Sequence, residues 1–488
     1  MAGELPYDVR PWAERRDQAL NDQIMRKTIG RVTRRFSAAK REAYRKNPDI
    51  EASRERATWH KRKAIHELPE LIDILRQRIE DHGGNTYLAA TAREAVEKVV
   101  KIAQEEHVSL VIKSKSMVTE EIALNPALEA AGITVRETDL GEYIIQLAHE
   151  KPSHILAPAA HRNRQQIDAL FQEDARMHHI RPPVSDGIAD LTHYARERLR
   201  QEFLQAEMGV TGGNFLVAET GTLVIITNEG NADMVTSLPR VLVSIVGVEK
   251  IVEDWASLID LIQQPAMSGI GRHLSSYTTM VHGPKQQGMA DGPEKWYVIL
   301  VDNGRMALRD TPFEEVLTCI RCGACLNVCP VFRQVGGHAY GSVYPGPIGI
   351  VETPLLTDLT ILPELPSSLC TLCHACEEAC PMEINLPKHI VTLRQIKVKR
   401  QMNKGIQDWT MRTWARFWMT PKGYHRSIRI ARLGQKWYQK PGQASLHNAP
   451  GIFGGWFETR DMPPVAAETF HEWWKNHQPS TTKGLPNP

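Results

Sequence analysis

The stretch Cys319-Ile-Arg-Cys322-Gly-Ala-Cys325-Leu-Asn-Val-Cys329-Pro330 and its second copy, Cys370-Thr-Leu-Cys373-His-Ala-Cys376-Glu-Glu-Ala-Cys380-Pro381, decide how this part of the chain folds. Both follow the spacing C-x2-C-x2-C-x3-C-P, in which three crowded thiolates bind three irons of one [4Fe–4S] cubane. The fourth cysteine of each copy lies farther along the chain, where it is expected to bind the other cluster. The repeated spacing therefore predicts two [4Fe–4S] clusters in a module of bacterial-ferredoxin type.

The predicted ligand sets are crossed between the two copies. Cluster 1 is expected on Cys319, Cys322, Cys325 and Cys380, and cluster 2 on Cys370, Cys373, Cys376 and Cys329. The competing interpretation is a pair of zinc sites, which usually consist of two C-x2-C pairs separated by a longer loop. Four cysteines within eleven residues, closed by a proline, fit zinc poorly.

The distribution of cysteine also bears on the compartment. All 8 cysteines of the 488-residue chain lie in this segment, whereas a secreted disulfide protein spreads its cysteines to join distant loops. The N-terminus lacks the apolar core of a secretion signal, and no run of about 18 apolar residues is present. We therefore expect a cytoplasmic protein, or one bound peripherally at the inner face of the membrane.

The region before the cysteines shows two successive patterns. Residues 1–80 are basic and have apolar residues at helical spacing, which predicts helices. After Gly83, short apolar runs alternate with helical segments, which is typical of an α/β domain with a largely parallel sheet. The expected strands are Leu110–Lys113, Ile133–Val135, Ser153–Leu156, a hairpin of Phe215–Ala218 and Thr222–Thr227, Val241–Val248 and Tyr297–Val301.

Polar turns follow several of these strands, and ligands of open α/β sheets bind at such strand ends. The turns are Lys113–Ser116, Thr211–Asn214, Asn228–Asn231, His282–Pro284 and Asp291–Glu294. Backbone N–H groups of Gly212 and Gly213 could bind an anion, with Lys113 or Lys115 as the counter-charge. Any single one of these is more often an ordinary turn. Neither G-x-G-x-x-G nor a Walker A motif occurs, so NAD and ATP are not supported.

Three side chains of this domain are candidates for catalysis: Glu219, Lys113 and Lys115. Glu219 lies in the hairpin turn, where it could act as an acid, base or nucleophile. It could equally accept hydrogen bonds from its own turn.

The segment between the two cysteine groups, Val331–Leu369, is longer than a compact ferredoxin needs. Its helix breakers, in Gly336–Gly341 and Tyr344–Pro347, predict an inserted loop within an otherwise helical module. His338 and Tyr340 could gate access, although such residues more often pack a loop.

Both ends of the chain are basic. The C-terminal part between Lys388 and Lys440 contains 14 Lys and Arg and one acidic residue, Asp408, and Trp residues accompany them. The preferred interpretation is self-packing or docking to another subunit, ahead of an anionic membrane surface. Nucleic acid is not expected as a partner.

Five runs of the sequence form a recognisable set: Lys113-Ser-Lys-Ser-Met-Val-Thr-Glu-Glu-Ile122, Glu137-Thr-Asp-Leu-Gly-Glu-Tyr-Ile-Ile-Gln146, Ala218-Glu-Thr-Gly-Thr-Leu223, Thr227-Asn-Glu-Gly-Asn231 and Val301-Asp-Asn-Gly304. They resemble the lactate-utilisation (LUD) domain. With the cysteine motifs and the Trp-rich tail, the whole chain is similar to the lactate-utilisation iron–sulfur protein B family.

The resemblance implies an α/β LUD domain, similar in fold to sugar-phosphate isomerases and CoA transferases, joined to an α-helical module with two [4Fe–4S] clusters. Helical extensions are expected at both ends. The expected boundaries are 1–80 for the N-terminal extension, 81–305 for the LUD domain, 306–400 for the ferredoxin-type domain and 401–488 for the C-terminal region.

The same resemblance implies an iron–sulfur electron-transfer subunit of a complex that oxidises L-lactate to pyruvate without NAD. Its partners would be a cysteine-rich iron–sulfur sibling and a second LUD-domain subunit, with a quinone or another acceptor downstream. The resemblance implies that all eight cysteines are cluster ligands, but it does not identify a catalytic residue. Two alternatives remain open: a LUD domain that binds an anionic or acyl metabolite beside redox-sensing or structural clusters, and an assembly scaffold.

Overall fold

The N-terminal region is helical, as predicted from apolar residues at helical spacing and few helix-breaking residues. The computed structural model describes residues 6–402, 406–435, 445–446, 457 and 460–477. Its first four helices are α1 (Trp12–Asn21), α2 (Gln23–Lys46), α3 (Ile50–His66) and α4 (Leu68–Asp81). The Asp22 carboxylate accepts a hydrogen bond from the Met25 N–H and caps the long helix α2.

The next part of the chain forms two sheets. The strands are β1 (Asn85–Ala89), β2 (Leu110–Lys113), β3 (Thr134–Glu137), β4 (Met208–Thr211), β5 (Phe215–Val217), β6 (Thr222–Thr227), β7 (Val241–Gly247), β8 (Ile251–Val252), β9 (Tyr277–Val281) and β10 (Lys295–Val301). Six strands pair in the order β1-β10-β7-β4-β2-β3, all parallel, which confirms the predicted α/β fold. The second sheet, β8-β5-β6-β9, contains the predicted antiparallel hairpin.

Helices cover both faces of the parallel sheet, which explains why its central strands are apolar throughout. The helices of this region are α5 (Ala92–Glu105), α6 (Met117–Glu121), α7 (Leu124–Ala130), α8 (Leu140–Leu147), α9 (Arg164–His178), α10 (Ile188–Gln205), α11 (Asn231–Ser237), α12 (Trp255–Ile262) and α13 (Gln264–Ile270). Side chains of α5 and α7 pack on one face, and those of α8, α9 and α10 pack on the other. Both faces are therefore buried, and only the ends of the strands are left to contact ligands.

One predicted strand, Ser153–Leu156, is wrong, because this segment is an irregular loop. The buried His154 side chain accepts hydrogen bonds at Nδ1 from the N–H groups of Leu156 and Ala157, at 3.0 and 3.3 Å. The imidazole thus satisfies main-chain donors that a strand would pair with a neighbouring strand. Pro152 and Pro158 flank the loop and cannot donate to a ladder.

The cysteine-rich region is helical, as expected. It contains α14 (Ala324–Val328), α15 (Phe332–Val335), α16 (Gly346–Leu356), α17 (Leu365–Ser368), α18 (Ala375–Ala379) and α19 (Leu386–Lys399). The inserted segment is more ordered than predicted, because α16 begins at Gly346. Pro347 lies in the first turn of this helix, where its missing N–H costs no hydrogen bond.

Short 3-10 helices are also present, at Val248–Lys250, Met306–Leu308, Glu314–Thr318 and His338–Tyr340. Contacts within the chain divide it into two compact units, a first unit of Met1–Ile396 and a second unit of Lys397–Pro488. The second unit contains α20 (Ile406–Trp418), α21 (Pro421–Gln435) and α22 (Phe470–Asn476). Across the described ranges, no helix combines the length and apolar character that a bilayer crossing requires.

Candidate cluster-binding site and adjoining cavity

The two cysteine groups lie side by side, because α14 and α18 pack against each other. All eight cysteines are free thiols. The electrostatic neighbours of Cys329 include Cys370 and Cys373, and Cys376 also interacts with it. Cys380 in turn interacts with Cys322 and Cys319. The fourth cysteine of each copy therefore lies near the first three of the other copy, as crossed ligand sets require.

The main chain repeats its conformation in both copies. Arg321 and Gly323 have positive φ angles of 60° and 69°, and the equivalent Leu372 and His374 have 55° and 63°. Such alternation of backbone conformation turns successive N–H groups towards one point and forms a concave anion-binding nest, a device found at iron–sulfur sites. An N–H group of Leu372 already donates to Cys370 Sγ at 3.3 Å. The backbone of these loops is thus suited to binding a negatively charged iron–sulfur cluster.

The spacing of the thiols argues against a single bound ion. Four thiolates around one zinc lie about 3.8 Å apart, since each Zn–S bond is about 2.3 Å. In the described part of the chain, one group of three or more possible ligands has all its atoms within 4.8 Å, and it contains no cysteine. Among the described residues, therefore, no three cysteine sulfur atoms lie as close together as the ligands of one zinc ion would.

That one closely spaced group consists of Glu150, His161 and His338. Glu150 is already held by Arg162, whose Nη2 donates to Oε1 at 2.7 Å, and by His161 at 2.8 Å. Burial opposes the charge of Glu150, but these two partners outweigh it and lower its pKa to about 2. His338 Nε2 donates to the carbonyl oxygen of Lys151 at 2.6 Å. The group is satisfied internally, and His338 holds the insert against the α/β domain.

Burial controls the protonation of the cysteines. It raises the pKa of Cys322 to about 11, and those of Cys376 and Cys380 to about 12. These thiols would therefore stay protonated in the absence of cations, and bound iron would stabilise their thiolate forms. Tyr340 is buried beside Cys329, and burial and this cysteine raise its pKa.

Basic residues of the N-terminal helices contact the cysteine segment. Lys40 Nζ donates to the carbonyl oxygen of Ala379 at 2.5 Å, and Arg54 donates to that of Cys380 at 2.9 Å. Ser37 donates to the carbonyl oxygen of Asn327 at 2.9 Å. The basic N-terminal helices thus pack on their own chain, which is one of the two arrangements preferred from the sequence. They also place positive charge next to the cysteine segment.

A cavity of about 470 Å³ opens at the carboxyl ends of β2, β3 and β4. Three of the five polar turns predicted as ligand sites converge in it: Lys113–Ser116, Thr211–Asn214 and Asn228–Asn231. The turns His282–Pro284 and Asp291–Glu294 line a different cavity. Gly212 permits the convergence, because a Cβ atom there would lie 2.7 Å from Ser116 Oγ.

The wall of this cavity includes part of the cluster loop itself. Ile320 and Arg321, which lie between Cys319 and Cys322, line it together with Lys250. The Arg321 guanidinium lies over the Tyr344 ring at 4.3 Å and is paired with Glu352. His154, from the loop beside the cavity, bonds through Nε2 to Asn327 Oδ1 at 3.1 Å. The cavity and the cluster-binding segment therefore share the residues Ile320 and Arg321.

The three catalytic candidates occupy different positions. Lys113 is buried, and its ammonium pairs with Glu137 at 2.8 Å and Glu120 at 2.9 Å. Burial opposes its charge, but these carboxylates raise its pKa. Lys115 lines the cavity and makes no hydrogen bond or salt bridge with a described residue. Glu219 is exposed in the hairpin turn, away from the cavity lining.

Sequence reasoning did not single out Glu229, which also lines the cavity. Its carboxylate accepts a hydrogen bond from the Leu140 N–H at 3.1 Å. The Glu229 side chain is exposed to solvent. Even so, the surrounding protein and the charge of Asp139 raise the pKa of Glu229 to about 7. One indication of its importance was present in the sequence, since Glu229 lies in the run Thr227–Asn231, which resembles the LUD domain.

Comparisons with known proteins agree with this architecture. Residues 72–301 match the LUD domain model, and residues 315–384 match the 4Fe-4S dicluster domain model. The second match confirms the prediction of two [4Fe–4S] clusters.

Relatives similar to the whole chain carry names of the same kind. A protein of Oceanobacillus iheyensis named "Lactate utilization protein B" is 38% identical over 97% of this chain and 96% of its own length. One of the same name from Shouchella clausii is 39% identical over 96% and 97%. "Uncharacterized electron transport protein YkgF" of Escherichia coli K12 is 37% identical over 96% of each chain. The chain therefore belongs to the lactate utilization protein B family, as an iron–sulfur protein of lactate utilisation.

Proposed function

We propose that the chain is the electron-transfer subunit of a multi-subunit complex that oxidises L-lactate to pyruvate without NAD. One observation carries the proposal: Ile320 and Arg321, which lie between two of the predicted cluster cysteines, form part of the wall of the cavity in the LUD domain. A compound bound there would lie next to an electron carrier. Two relatives named for lactate utilisation supply the link to lactate, and the name of the Escherichia coli relative supplies a link to electron transport.

The chemistry suits two adjacent one-electron carriers. Oxidation of lactate to pyruvate releases two electrons and two protons, and each [4Fe–4S] cluster accepts one electron at a time when bound. Cys325, assigned to cluster 1, interacts electrostatically with Cys376, assigned to cluster 2. The two ligand sets are therefore neighbours, and the chain can pass both electrons in succession towards an external acceptor such as a quinone.

Residues of the chain determine the environment of the two proposed clusters. Burial of Cys322, Cys329, Cys376 and Cys380 limits water at their sulfur atoms. The N–H groups of Phe332 and Leu372 donate to the sulfur atoms of Cys329 and Cys370, and both effects tune the potential. Lys40, Arg54 and Lys250 supply positive charge around the cysteine segment. A cysteine-rich iron–sulfur subunit and a second LUD-domain subunit are the partners we propose for the complex.

The test is purification of the chain, without oxygen, together with its two sibling subunits. In the absence of an acceptor, L-lactate should bleach the visible absorbance of the clusters and produce the EPR signals of reduced [4Fe–4S] centres, with pyruvate formed in proportion. D-lactate is the matched control for the substrate. If pyruvate accumulates while the clusters of this chain stay oxidised, the relay is wrong.

A further inference from the structure

We propose that the cavity at the ends of β2, β3 and β4 is a binding site for a small 2-hydroxy or 2-oxo carboxylate, with the Lys115 ammonium as its charge partner. The charge and position of the site stand on the structure alone. The naming of lactate and pyruvate as its ligands rests on the proposed function.

Lys115 differs from the other cations near this cavity. Lys250 donates to the carbonyl oxygen of Cys319, and Arg321 pairs with Glu352. Lys113 is enclosed by Glu137 and Glu120. Lys115 is half-buried, lines the cavity and makes no hydrogen bond or salt bridge to any residue in the described ranges. Its donors are therefore left for a ligand, and a partly desolvated ammonium favours an anion.

A second donor lies in the same cavity wall. Asn214 Oδ1 accepts a hydrogen bond from the Ile226 N–H at 2.8 Å, which fixes the orientation of its amide. The NH2 group of Asn214 makes no hydrogen bond with a described residue. An ammonium and an amide NH2 together can bind the two oxygens of a carboxylate, or one oxygen and a neighbouring hydroxyl or keto group.

Acidic groups near Lys115 do not cancel its charge. Burial and Glu120 raise the pKa of Glu142, and the pKa of Glu229 lies at about 7, so both carboxyls tend towards their neutral forms. The Asp139 carboxylate accepts hydrogen bonds from the N–H groups of Gly141 and Glu142. A protonated Glu229 can donate to a ligand oxygen instead of repelling it.

The rest of the lining suits a small organic acid. Ile144, Ile155, Leu156 and Ile225 contribute apolar surface, and the volume of about 470 Å³ is that of a small-molecule site. The contact with the Ile320–Arg321 loop means that a bound anion would alter the surroundings of cluster 1. The EPR spectrum of that cluster is therefore a reporter of binding that does not depend on turnover.

The experiment uses the full chain with both clusters, prepared without oxygen. Calorimetric titrations with L-lactate, pyruvate, neutral L-lactamide and inorganic phosphate measure binding, and EPR of the dithionite-reduced protein measures the effect on cluster 1. L-lactate and pyruvate should bind saturably and shift the cluster 1 signal, whereas lactamide should not bind. Binding of phosphate as tightly as lactate would contradict a carboxylate site.

Three variants locate the site. Lys115→Met should weaken lactate and pyruvate binding at least tenfold, as expected for loss of a charge-assisted hydrogen bond. Lys115→Arg should keep binding within a fewfold of the original. Lys101→Met removes one charge from an exposed lysine of α5 and should change nothing. Iron content and circular dichroism check that each variant is folded.

Two results would overturn the proposal: no saturable binding even at tens of millimolar, or unchanged binding in Lys115→Met. Both can be told apart from failure of the proposed function. If the isolated chain binds no lactate but L-lactate still reduces its clusters in the complex, the site lies in a sibling and the relay stands. If the chain binds lactate through Lys115 but its clusters are never reduced, the site stands and the relay falls.

Discussion

The ammonium of Lys250 donates a hydrogen bond of 3.1 Å to the main-chain carbonyl oxygen of Cys319. Lys250 follows β7 of the LUD domain and lines its cavity, while Cys319 begins the first cysteine group. One side chain thus joins the cavity to the predicted ligands of cluster 1. Because a reduced cluster is more negative than an oxidised one, a buried cation at this place stabilises the reduced form.

Replacement of this lysine should therefore lower the reduction potential of cluster 1. Lys250→Met keeps the side-chain volume but removes the charge, and the expected decrease is on the order of 50 mV. Potentiometric titration followed by EPR resolves the two clusters. The potential of cluster 2 and both potentials in the surface variant Lys285→Met should stay unchanged. Equal shifts of both clusters would mean that Lys250 acts on the whole module.

Crossed ligation makes a specific prediction for the fourth cysteines. Cys329→Ala should damage cluster 2, held by the second cysteine group, and Cys380→Ala should damage cluster 1. The reason is that each of these thiols lies among the first three of the other copy. Cluster-resolved EPR and iron analysis measure the effect. Damage confined to the cysteine's own group would contradict the crossing.

The buried ion pair of Lys113 and Glu137 should be important for stability. Lys113→Met leaves Glu137 buried without its cation, and such a loss costs about 3–5 kcal/mol in the free energy of unfolding. Urea unfolding of the cluster-loaded protein measures it. Lys101→Met, at an exposed pair with Glu105 in which the two side chains are 3.6 Å apart, should cost less than about 0.5 kcal/mol. Similar losses in both variants would show that Lys113 contributes no more than a surface charge.

Carboxylate binding in the cavity should depend on pH through Glu229. Its pKa of about 7 is above the ordinary value of 4.5, so the group is mostly neutral below pH 7 and becomes anionic above it. The ligand remains ionised throughout, because a carboxylic acid of this kind loses its proton near pH 4. Lys115 attracts the ligand, while ionised Glu229 and the charge of Asp139 repel it. Affinity should therefore fall as pH rises from 6 to 8.

The matched variant for this prediction is Glu229→Gln, which is neutral at every pH. Its lactate affinity should resemble that of the original chain at pH 6 and vary little up to pH 8, as followed by calorimetry. A pH dependence equal to that of the original chain would assign the effect to another group.

The C-terminal unit should be dispensable for cluster binding. Its helices α20 and α21 expose large apolar side chains, among them Trp409, Trp414 and Ile430, and α21 contains four Lys and Arg and no acidic residue. A chain that ends after Gly405 should keep about eight iron and eight sulfide per molecule but bind the subunits proposed as its partners more weakly. Iron and sulfide analysis and co-purification measure the two properties. Loss of iron would place the unit in the core of the cluster module.

Some properties of the protein follow from local sequence, and these were predicted. The cysteine spacing indicates the cofactor, because the ligands of a cubane come from residues a few positions apart. Apolar runs such as Leu110–Lys113 and Thr222–Thr227 indicate strands, because burial on a sheet requires them. The run at Ser153–Leu156 was mistaken, since its apolar residues pack a loop whose main-chain donors are bonded by the side chain of His154. The strands β1, β4, β8 and β9 were missed, because β1 and β9 contain several polar residues, Gly209 interrupts β4 and β8 has two residues.

The amino-acid sequence by itself determined the two clusters, the α/β class and the helical extensions, because spacing and periodicity act over short stretches of chain. Only the tertiary structure decided which turns form one cavity and which lie elsewhere. Lys115 and Glu229 are 114 positions apart in the sequence, with Asn214 between them, and no local pattern relates the three residues. The parallel order of β3, β2 and β4 brings their carboxyl ends together, and packing of the cysteine segment closes the cavity with Arg321.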